Sequence, residues 1–242
     1  MESLLKDQNP HPLLDPERLR SGDRVFAPED VIRRLRPHIT KERADRIEAV
    51  VSRRTYGIAP VVEGLADTGN VGAVMRSAEA LGIQPVHVVT GTSRYRTSRR
   101  TTQGADRWLD VFRWDSPESC VDHLRKSGYL IAATHLRARR TIQDLEFANQ
   151  RIALVFGNEK EGISDTMLEA ADVRFKVPMA GFAQSFNISV AAAICLYHIR
   201  RERFGRYDDS GDLSPTEQAV LRADFYLRSV KESARILRQA SD

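Results

Sequence analysis

The feature that most constrains the fold of this chain is a regular alternation between short apolar runs and helical segments. The runs IAPVVEGL, PVHVV, YLIAATHL, IALVFG and VRFKVP are rich in residues that favour strands. The segments between them have helical spacing and capping residues. Such alternation, with mostly apolar strands, favours a mostly parallel sheet that is covered by helices on both faces. The sequence therefore predicts an α/β fold in which ligands bind at the carboxyl ends of the strands.

Helices are predicted between these strands and at both ends of the chain. Thr40 is an N-cap residue for an amphipathic helix that places Ile47, Val50 and Val51 on one face. The other helices are predicted within PEDVIRRL, NVGAVMRSAEALG, SPESCVDHLRKSG, SDTMLEAAD, NISVAAAICLYHI and SPTEQAVLRADFYLRSVKESARILRQ. We therefore divide the chain into an N-terminal arm (residues 1–39), the α/β domain (40–206) and a C-terminal helical extension (207–242).

Length and composition argue against several classes of protein. The 242 residues can bury one good core, and no apolar run approaches the roughly 18 residues of a membrane span. The first twenty residues contain acidic residues and prolines instead of a signal-peptide core, so we expect a cytoplasmic protein, with an organelle as the alternative. Cys120 and Cys195 lie far apart without the spacing of a zinc site, and we expect reduced core residues. The sequence thus predicts no membrane contact, no metal and no disulfide.

Arginine dominates the basic residues: 31 of the 37 are arginines, although the formal net charge is only +4. The guanidinium fork fits phosphate oxygens, so nucleic acid is a candidate partner, while the bias of a GC-rich genome explains the excess equally well. Clusters occur in TSRYRTSRR, RARR and RRERFGR, where an aromatic ring could stack on a base and where a solvated surface is the alternative. The candidate RNA-binding residues are Arg94, Tyr95, Arg96, Arg99, Arg100, Arg137, Arg139, Arg140, Arg200 and Arg201.

Three loops share one design, in which a strand runs into a stretch of glycine, asparagine and serine that opens a helix. They lie in EGLADTGNVGAVMRSAEALG, LVFGNEKEGIS and VPMAGFAQSFNISVAAAICLYHI. Backbone N–H groups and short polar side chains at a helix N-terminus receive anions and ligand hetero-atoms. Each loop alone has a simpler explanation, because Asn70, Ser185 and Asn187 could merely cap helices. Likewise, Glu159 and Arg76 could be solvated surface residues, so the argument depends on the three loops together.

The standard signatures of other enzyme classes are missing from the chain. It contains no GxGxxG after a strand, no GxxxxGK[ST], no GxSxG and no HExxH. The sequence therefore argues against a Rossmann dehydrogenase, a P-loop enzyme and a zincin.

Taken together, NVGAVMRSAEALG, FGNEKEGIS and VPMAGFAQSFNISVAAAICLYHI resemble, in order and spacing, motifs 1, 2 and 3 of the SpoU/TrmH branch of the SPOUT methyltransferases. Enzymes of this branch methylate the ribose 2′-hydroxyl of RNA. The helix ERADRIEAVVSRR and the helical C-terminal tail look most like the branch that modifies the D-loop guanosine at tRNA position 18. The resemblance implies a SPOUT-type sheet with a C-terminal deep trefoil knot, S-adenosylmethionine bound in the knot, and a homodimer. Periodicity alone would predict an unknotted sheet.

The resemblance also implies roles for residues of this chain. The functional residues of the three motifs correspond to Asn70, Arg76, Glu159, Ser185 and Asn187. The methyl donor is expected to contact mostly backbone groups of Thr134, His135, Leu136, Phe156, Gly157, Gly162, Val177, Met179 and Phe186. The chain departs from the family at two places, since residues 67–69 lack a common proline and Phe186 replaces the usual leucine. Neither change removes a chemical group, so we expect activity.

The family arginine, here Arg76, is usually described as the general base, but a guanidinium group normally stays protonated in proteins. We expect instead that Arg76 clamps a phosphate and stabilises oxyanion character, with the proton acceptor left open. Ser185 and Asn187 are expected to orient Arg76 and the ribose, and Glu159 to hold the loop or Asn70. The alternatives are the same chemistry on ribosomal RNA, an inactive RNA-binding protein of this fold, and a small-molecule nucleotide-binding protein that would not need the arginine clusters.

Overall fold

The computed structural model describes residues 15–64, 68–90, 102–145, 150–158, 161–205 and 210–239. These residues form two compact units. One unit comprises Thr55–Ser210, and the other combines the described residues up to Arg54 with those from Gly211 onward. The boundary thus differs from the one drawn at Thr40, because the helix that follows Thr40 packs against a helix near the C-terminus.

The larger unit is built on a seven-stranded sheet. The strands of the protein are β1 (Arg20–Ser21), β2 (Arg24–Val25), β3 (Ile58–Glu63), β4 (Pro85–Val89), β5 (Asp110–Trp114), β6 (Tyr129–Thr134), β7 (Arg140–Thr141), β8 (Arg151–Phe156) and β9 (Val173–Lys176). The order in the large sheet is β5-β4-β3-β8-β6-β9-β7, and all of its described pairings are parallel. The sequence prediction of a mostly parallel α/β sheet is therefore confirmed.

The five strands predicted from the sequence occupy the middle of this sheet, and the two that were not predicted are its edges. β5 is mostly half-buried, with Arg113 exposed, and β7 has only two residues. An edge strand pairs on one side only and need not be apolar throughout, so it lacks the signal that identified the others.

The helices of the described residues are α1 (Pro28–Leu35), α2 (Lys41–Val51), α3 (Thr68–Ala80), α4 (Pro117–Lys126), α5 (Asp165–Glu169), α6 (Ile188–Phe204), α7 (Pro215–Ser229) and α8 (Ser233–Gln239). Asn70 lies within α3, two residues after its start, and is therefore not the N-cap of that helix. Several other helices begin at capping residues. The side chains of Thr40, Ser116 and Ser164 each accept a hydrogen bond from a backbone N–H in the first turn of α2, α4 and α5. Ser214 and Glu217 form a capping box at the start of α7.

Helices cover both faces of the sheet. Val86 and Val88 of β4 belong to the hydrophobic cluster that contains the buried residues of α3 and α6. His87 lies between them in sequence and therefore points to the other face, where its ring lies 5.6 Å from that of His123 on α4. The larger core is on the side of α3 and α6, and α4 packs on β4, β5 and β6 on the opposite side.

The smaller unit is a helical assembly in which α1 packs on α7 and α8, and α2 packs on α7. Asp224 of α7 is 7% exposed and pairs with Arg228 at 2.6 Å and with Arg18 at 3.5 Å. Arg54 is 1% exposed, and its guanidinium lies 5.7 Å from the centre of the Phe225 ring. β1 and β2 form an antiparallel pair beside these helices.

Both cysteines are free and fully buried, as the sequence predicted. Burial raises the pKa of the Cys120 and Cys195 thiols to about 12, so both stay protonated core residues. In the described ranges, no helix has the length and apolar character needed to cross a membrane. Those same ranges contain no group of three or more histidine, cysteine or acidic side chains arranged to hold a metal ion.

Candidate functional site

Four neighbouring strands, β3, β8, β6 and β9, end at the same edge of the sheet because they run parallel. The segments that follow them are the three loops identified in the sequence, together with residues 135–136 after β6. The structure thus brings the described residues of these loops to the carboxyl ends of neighbouring strands, where ligands of parallel sheets bind.

Two asparagine side chains join the first and third loops directly. The Nδ2 group of Asn187 donates a hydrogen bond of 3.1 Å to Oδ1 of Asn70. The Oδ1 atom of Asn187 accepts from the backbone N–H of Ser189 at 2.9 Å and from its hydroxyl at 2.6 Å, and thereby caps α6. The same amide of Asn187 thus caps α6 and contacts Asn70, so capping does not exclude a second contact.

A buried carboxylate joins the first loop to the second. Glu63, the last residue of β3, is 6% exposed and accepts both the backbone N–H of Ser164 at 3.0 Å and its hydroxyl at 2.6 Å. A Cβ on the neighbouring Gly64 would overlap the side chain of Asn158 in the second loop. Sequence reasoning missed Glu63 as a contact, although a carboxylate at the end of a fully buried apolar strand needs partners and was a signal that could have identified it.

The described residues at the two ends of the second loop lie close together. The N–H of Asn158 donates to the carbonyl of Gly162 at 3.1 Å, and the N–H of Gly162 donates to the carbonyl of Asn158 at 3.0 Å. Gly157 lies so close to the backbone of Gly162 and Ile163 that a Cβ would overlap them. Gly162 has a φ of +74°, which glycine adopts without strain. Glu159, the residue predicted to act in this loop, lies outside the described residues.

Arg76 is exposed on α3, while its neighbours Val74 and Met75 are fully buried. It lies six residues after Asn70, which is about 9 Å along the helix axis at 1.5 Å per residue. Among the residues that the structure describes, none forms a hydrogen bond or an ion pair with the Arg76 side chain. Ser185 is also exposed, two residues before the Asn187 cap. Both side chains are therefore accessible from solvent.

The segment after β6 is held by hydrogen bonds to its neighbouring strands. The Thr134 hydroxyl donates to the carbonyl of Val155 on β8 at 3.0 Å. The backbone N–H of His135 donates to the carbonyl of Phe175 on β9 at 2.8 Å. Leu136, the next residue, is 65% exposed. This segment thus presents an apolar side chain from a fixed backbone.

The other residues predicted to contact the methyl donor differ in exposure. Phe156 is 1% exposed and its side chain belongs to the core. Val177 is partly buried against the same core. Met179 and Phe186 are 38% and 37% exposed. Of these residues, Met179 and Phe186 thus present accessible side chains.

The arginines predicted to bind RNA differ in whether the structure describes them and in how exposed they are. Arg94, Tyr95, Arg96, Arg99 and Arg100 lie outside the described residues. Arg137 and Arg139 are exposed between β6 and β7, and Arg140 is exposed as the first residue of β7.

Arg200 is a correction to the sequence analysis. It is 5% exposed, donates to the carbonyl of Ser210 at 3.1 Å and lies 4.5 Å from the centre of the Phe204 ring. It follows the buried Leu196 by four residues, so helical periodicity places it on the inner face of α6. The prediction that Arg200 contacts RNA is therefore wrong. Arg201 is half-buried with its guanidinium over the ring of Tyr197.

One face of α6 and the loop before it carries exposed apolar side chains. Phe186, Val190, Ile194 and Tyr197 are 37%, 47%, 36% and 53% exposed. Their spacing of four, four and three residues places them along one helix face. We call these four residues the apolar stripe.

Comparison with known proteins places this geometry in context. The chain is 34% identical over 206 residues to the tRNA (guanosine(18)-2′-O)-methyltransferase of Borreliella burgdorferi, which covers 84% of this chain and 94% of the relative. Its fold is similar to that of the A. aeolicus TrmH/SpoU tRNA modifying enzyme, with a TM-score of 0.71, 25% identity and coverage of 79% of this chain and 98% of that one.

A second solved structure contains the cofactor. The SpoU methyltransferase AviRb from Streptomyces viridochromogenes, in complex with S-adenosylmethionine, matches with a TM-score of 0.56, 30% identity and coverage of 61% of this chain and 58% of that one. The profile of the SpoU rRNA methylase family matches residues 58–197, from the first strand of the large sheet into α6. The chain therefore belongs to the SpoU rRNA methylase family.

Proposed function

We propose that this protein transfers the methyl group of S-adenosylmethionine to a ribose 2′-hydroxyl in RNA, and that the acceptor is guanosine 18 of tRNA. The hydrogen bond between Asn187 and Asn70 is the observation that carries the proposal, because it joins the first and third loops into one site on the helix of Arg76. Family membership supports the reaction. The name of the relative from Borreliella burgdorferi supports the substrate.

The residues at the strand ends suit S-adenosylmethionine. Leu136, Met179 and Phe186 offer exposed apolar surface of the kind that lines ligand pockets, and a purine ring can pack on it. The backbone around Gly157 approaches closely because no Cβ intervenes. We therefore assign the cofactor to these residues and to Thr134, His135, Phe156, Gly162 and Val177, whose backbone groups border the same edge. When bound there, the cofactor supplies an electrophilic methyl group on a sulfonium sulfur.

The chain's own residues then have to position the ribose hydroxyl and stabilise charge. A hydroxyl is a weak nucleophile at neutral pH, and holding it in line with the methyl group contributes several kcal/mol. Arg76 is exposed, so we assign its guanidinium group the clamping of a substrate phosphate and the stabilisation of negative charge on the ribose oxygen. Asn187 and Asn70 position the two loops, and Ser185 and Glu159 complete the proposed site.

We further propose that the chain is knotted at this site. β6 and β7 pair with opposite edges of β9, so residues 135–139 pass from one side of β9 to the other. The chain that leaves β9 continues to α6, which packs on β3 and β8. This crossing supports a trefoil knot in which residues 177–187 pass through the loop after β6.

A homodimer is also part of the proposal. The apolar stripe is exposed on a helix that begins at the site, and continuous exposed apolar surface marks an interaction face. A second copy of this chain, paired through the same stripe, would cover it. The residues named for the reaction all belong to the larger unit, so we assign the terminal helices an accessory role. We also propose a cytoplasmic location, because the tRNA substrate proposed for the protein is found there.

The proposal is tested with labelled S-adenosylmethionine and separate pools of tRNA and ribosomal RNA, followed by mapping of the product nucleotide by mass spectrometry. We expect label in tRNA, as 2′-O-methylguanosine at position 18. Label in ribosomal RNA alone would show that ribosomal RNA, the second candidate, is the substrate instead of tRNA. RNA binding without label in either pool would overturn the enzymatic proposal and leave an RNA-binding protein.

Arg76 variants provide the matched control for this assay. Arg76→Ala should abolish transfer while the affinity for S-adenosylmethionine stays within about twofold of the original protein. Arg76→Lys keeps the charge but lacks the fork, so it should restore only part of the transfer rate. Loss of cofactor binding in Arg76→Ala would show an architectural role instead.

A further inference from the structure

A pocket of about 390 Å³ lies at the β7 edge of the sheet, between the loop after β6 and the start of β9. Its volume falls within the roughly 300–1,000 Å³ that is usual for ligand sites. Arg137, Arg139 and Arg140 line it from the loop, and Arg174 lines it from β9. His135 also faces it. The fold thus brings Arg174, which no sequence motif singled out, together with the RARR cluster.

The positive charge of this pocket is poorly balanced by neighbouring carboxylates. Asp172 is in the lining, but its Oδ2 atom already accepts from the N–H of Ile131 at 2.7 Å and from Arg125 at 2.8 Å. Within the described residues, no carboxylate forms an ion pair with Arg137, Arg139 or Arg174. Several guanidinium groups that share one pocket without paired carboxylates repel one another, and a bound anion relieves that repulsion.

The carboxylate of Asp144 interacts electrostatically with Arg140. Its Oδ2 atom accepts from both the N–H and the hydroxyl of Thr141, at 2.7 and 2.8 Å, and these hydrogen bonds lower the Asp144 pKa. Asp144 is therefore held by the turn that ends the loop. Arg140 is the least available of the four arginines because this carboxylate is close to it.

The Arg174 side chain and the backbone of the loop that carries Arg137 and Arg139 are positioned before any ligand arrives. The Nε and one Nη group of Arg174 donate to the carbonyl of Leu168 at 3.3 and 2.9 Å, which leaves further N–H donors of the fork unused by the described residues. In the loop, the N–H of Ala138 donates to the carbonyl of His135 at 3.0 Å, and the N–H of Arg137 donates to Nδ1 of His135 at 3.3 Å. A site that is organised in advance loses less entropy on binding.

We propose that this pocket binds a phosphodiester group of the RNA substrate, on a nucleotide other than the one that is methylated. The inference rests on the proposed function, because the ligand belongs to the same RNA. Guanidinium forks match phosphate oxygens in bidentate pairs. His135 borders the pocket and lies in the segment assigned to the cofactor, so a phosphate held here anchors the RNA beside the site of transfer. Arg174 is thereby assigned a direct contact with RNA.

The test is equilibrium binding of tRNA to the full-length protein over a series of salt concentrations. The triple variant Arg137→Ala, Arg139→Ala, Arg174→Ala should bind tRNA at least tenfold more weakly at low salt. Its slope of log K against log salt should be shallower by about 1 to 2, since each neutralised phosphate contributes about 0.7 to 0.9. The matched control is Arg113→Ala, an exposed arginine on β5 at the opposite edge of the sheet, which should leave both quantities unchanged.

A second variant guards against a folding defect. Replacing the same three arginines by lysine keeps the charge, so the salt slope should return to that of the original protein while part of the affinity stays lost. The melting temperature and the affinity for S-adenosylmethionine should agree among all variants. A lysine variant with the shallow slope of the alanine variant would contradict a charge-based contact and overturn the proposal.

Inorganic pyrophosphate separates the possible sources of phosphate. We expect it to compete with tRNA for the original protein and not for the triple alanine variant. Pyrophosphate binding that depends on the three arginines, with equal tRNA affinity and slope in both proteins, would assign the pocket to a free phosphate compound and overturn the proposal. Equal tRNA binding without any pyrophosphate binding would overturn it as well. Because binding is measured instead of methyl transfer, a protein that passes this test without methylating RNA would contradict the proposed function alone.

Discussion

The amide of Asn187 performs two tasks with two different atoms. Its Oδ1 atom caps α6, and its Nδ2 group reaches Asn70 on α3. A cap of this kind contributes about 1 kcal/mol to the free energy of unfolding, whereas the bond to Asn70 sets the relative position of two loops. The two contributions can therefore be separated by substitution.

Asn187→Asp keeps the capping oxygen and loses the amide donor to Asn70, and Asn187→Ala loses both. Aspartate is favourable at a helix N-terminus, so the free energy of unfolding of Asn187→Asp should stay within about 0.5 kcal/mol of that of the original protein. The free energy of unfolding of Asn187→Ala should be lower by about 1 kcal/mol. Urea titration measures these changes. Both variants should lose most methyl transfer, and full activity of Asn187→Asp would show that the link to Asn70 is dispensable.

Spacing and family resemblance identified Asn70, Asn187 and Arg76 because these residues stand in short, ordered motifs. The Glu63 contact to Ser164 was not predictable in this way, since the partners are 101 residues apart and only the sheet brings them together. Arg200 was misassigned because a cluster of arginines was considered without its helical face.

At the scale of elements, the two ends of the second loop approach so closely that only glycine fits at position 157. Gly157 leaves no room for a Cβ against the backbone of Gly162 and Ile163. Gly128, at the opposite end of β6, has the same φ of +74° as Gly162 and has nothing within 4 Å of an added Cβ. An alanine at Gly157 therefore tests steric overlap in the loop, whereas an alanine at Gly128 tests backbone strain outside it.

Gly157→Ala should force the loop open and weaken S-adenosylmethionine binding at least tenfold in calorimetry. Overpacking of this kind also lowers the free energy of unfolding by about 1–3 kcal/mol. Gly128→Ala should cost about 1–2 kcal/mol of backbone strain and leave cofactor affinity unchanged. Equal cofactor affinity in the two variants would contradict the assignment of this loop to the cofactor.

The face of the sheet beneath α4 contains a buried histidine. His87 stacks on Phe112 at 4.9 Å between ring centres and accepts the indole N–H of Trp114 at 3.1 Å. Burial, and then the neighbouring His123, lowers the His87 pKa to about 3. His87 therefore stays neutral in the folded protein, while in the unfolded chain it binds a proton below about pH 6.5. Stability should fall as the pH drops from 6.5 towards 3.

His87→Phe removes this titration and should make the protein less sensitive to acid. Between pH 7 and pH 5 the original protein should lose about 2 kcal/mol more free energy of unfolding than the variant. The pKa of His123 is lowered by burial as well, and both proteins keep that residue. Urea titrations at the two pH values give the comparison. Equal losses in the two proteins would show that His87 does not stay neutral in the folded state.

At the scale of the whole molecule, the sequence alone predicted the strands in the middle of the sheet. It did not predict the edge strands or the assembly of the protein. Apolar runs identified β3, β4, β6, β8 and β9, while β5 and β7 lacked that signal. A knot and a homodimer follow from the resemblance and not from periodicity, because no local pattern records which loop a chain passes through or what covers a helix face.

The apolar stripe predicts the assembly state. Val190→Glu with Ile194→Glu places two charges on the stripe and should convert a dimer into a monomer in light scattering. Loss of methyl transfer should accompany this change. Ala49→Glu, on an exposed position of α2, is the control and should remain dimeric. A monomeric original protein with full activity would contradict the proposed dimer.

The most direct measurement uses two tRNA transcripts that differ only in the sugar of guanosine 18, which is either ribose or 2′-deoxyribose. Both are incubated with the protein and labelled S-adenosylmethionine, and incorporated methyl groups are counted. The account predicts about one methyl group per ribose-containing tRNA and none in the deoxy transcript, with similar binding of both. Equal labelling of the two transcripts would show that the methyl group goes to a base or to another nucleotide, and would contradict the account.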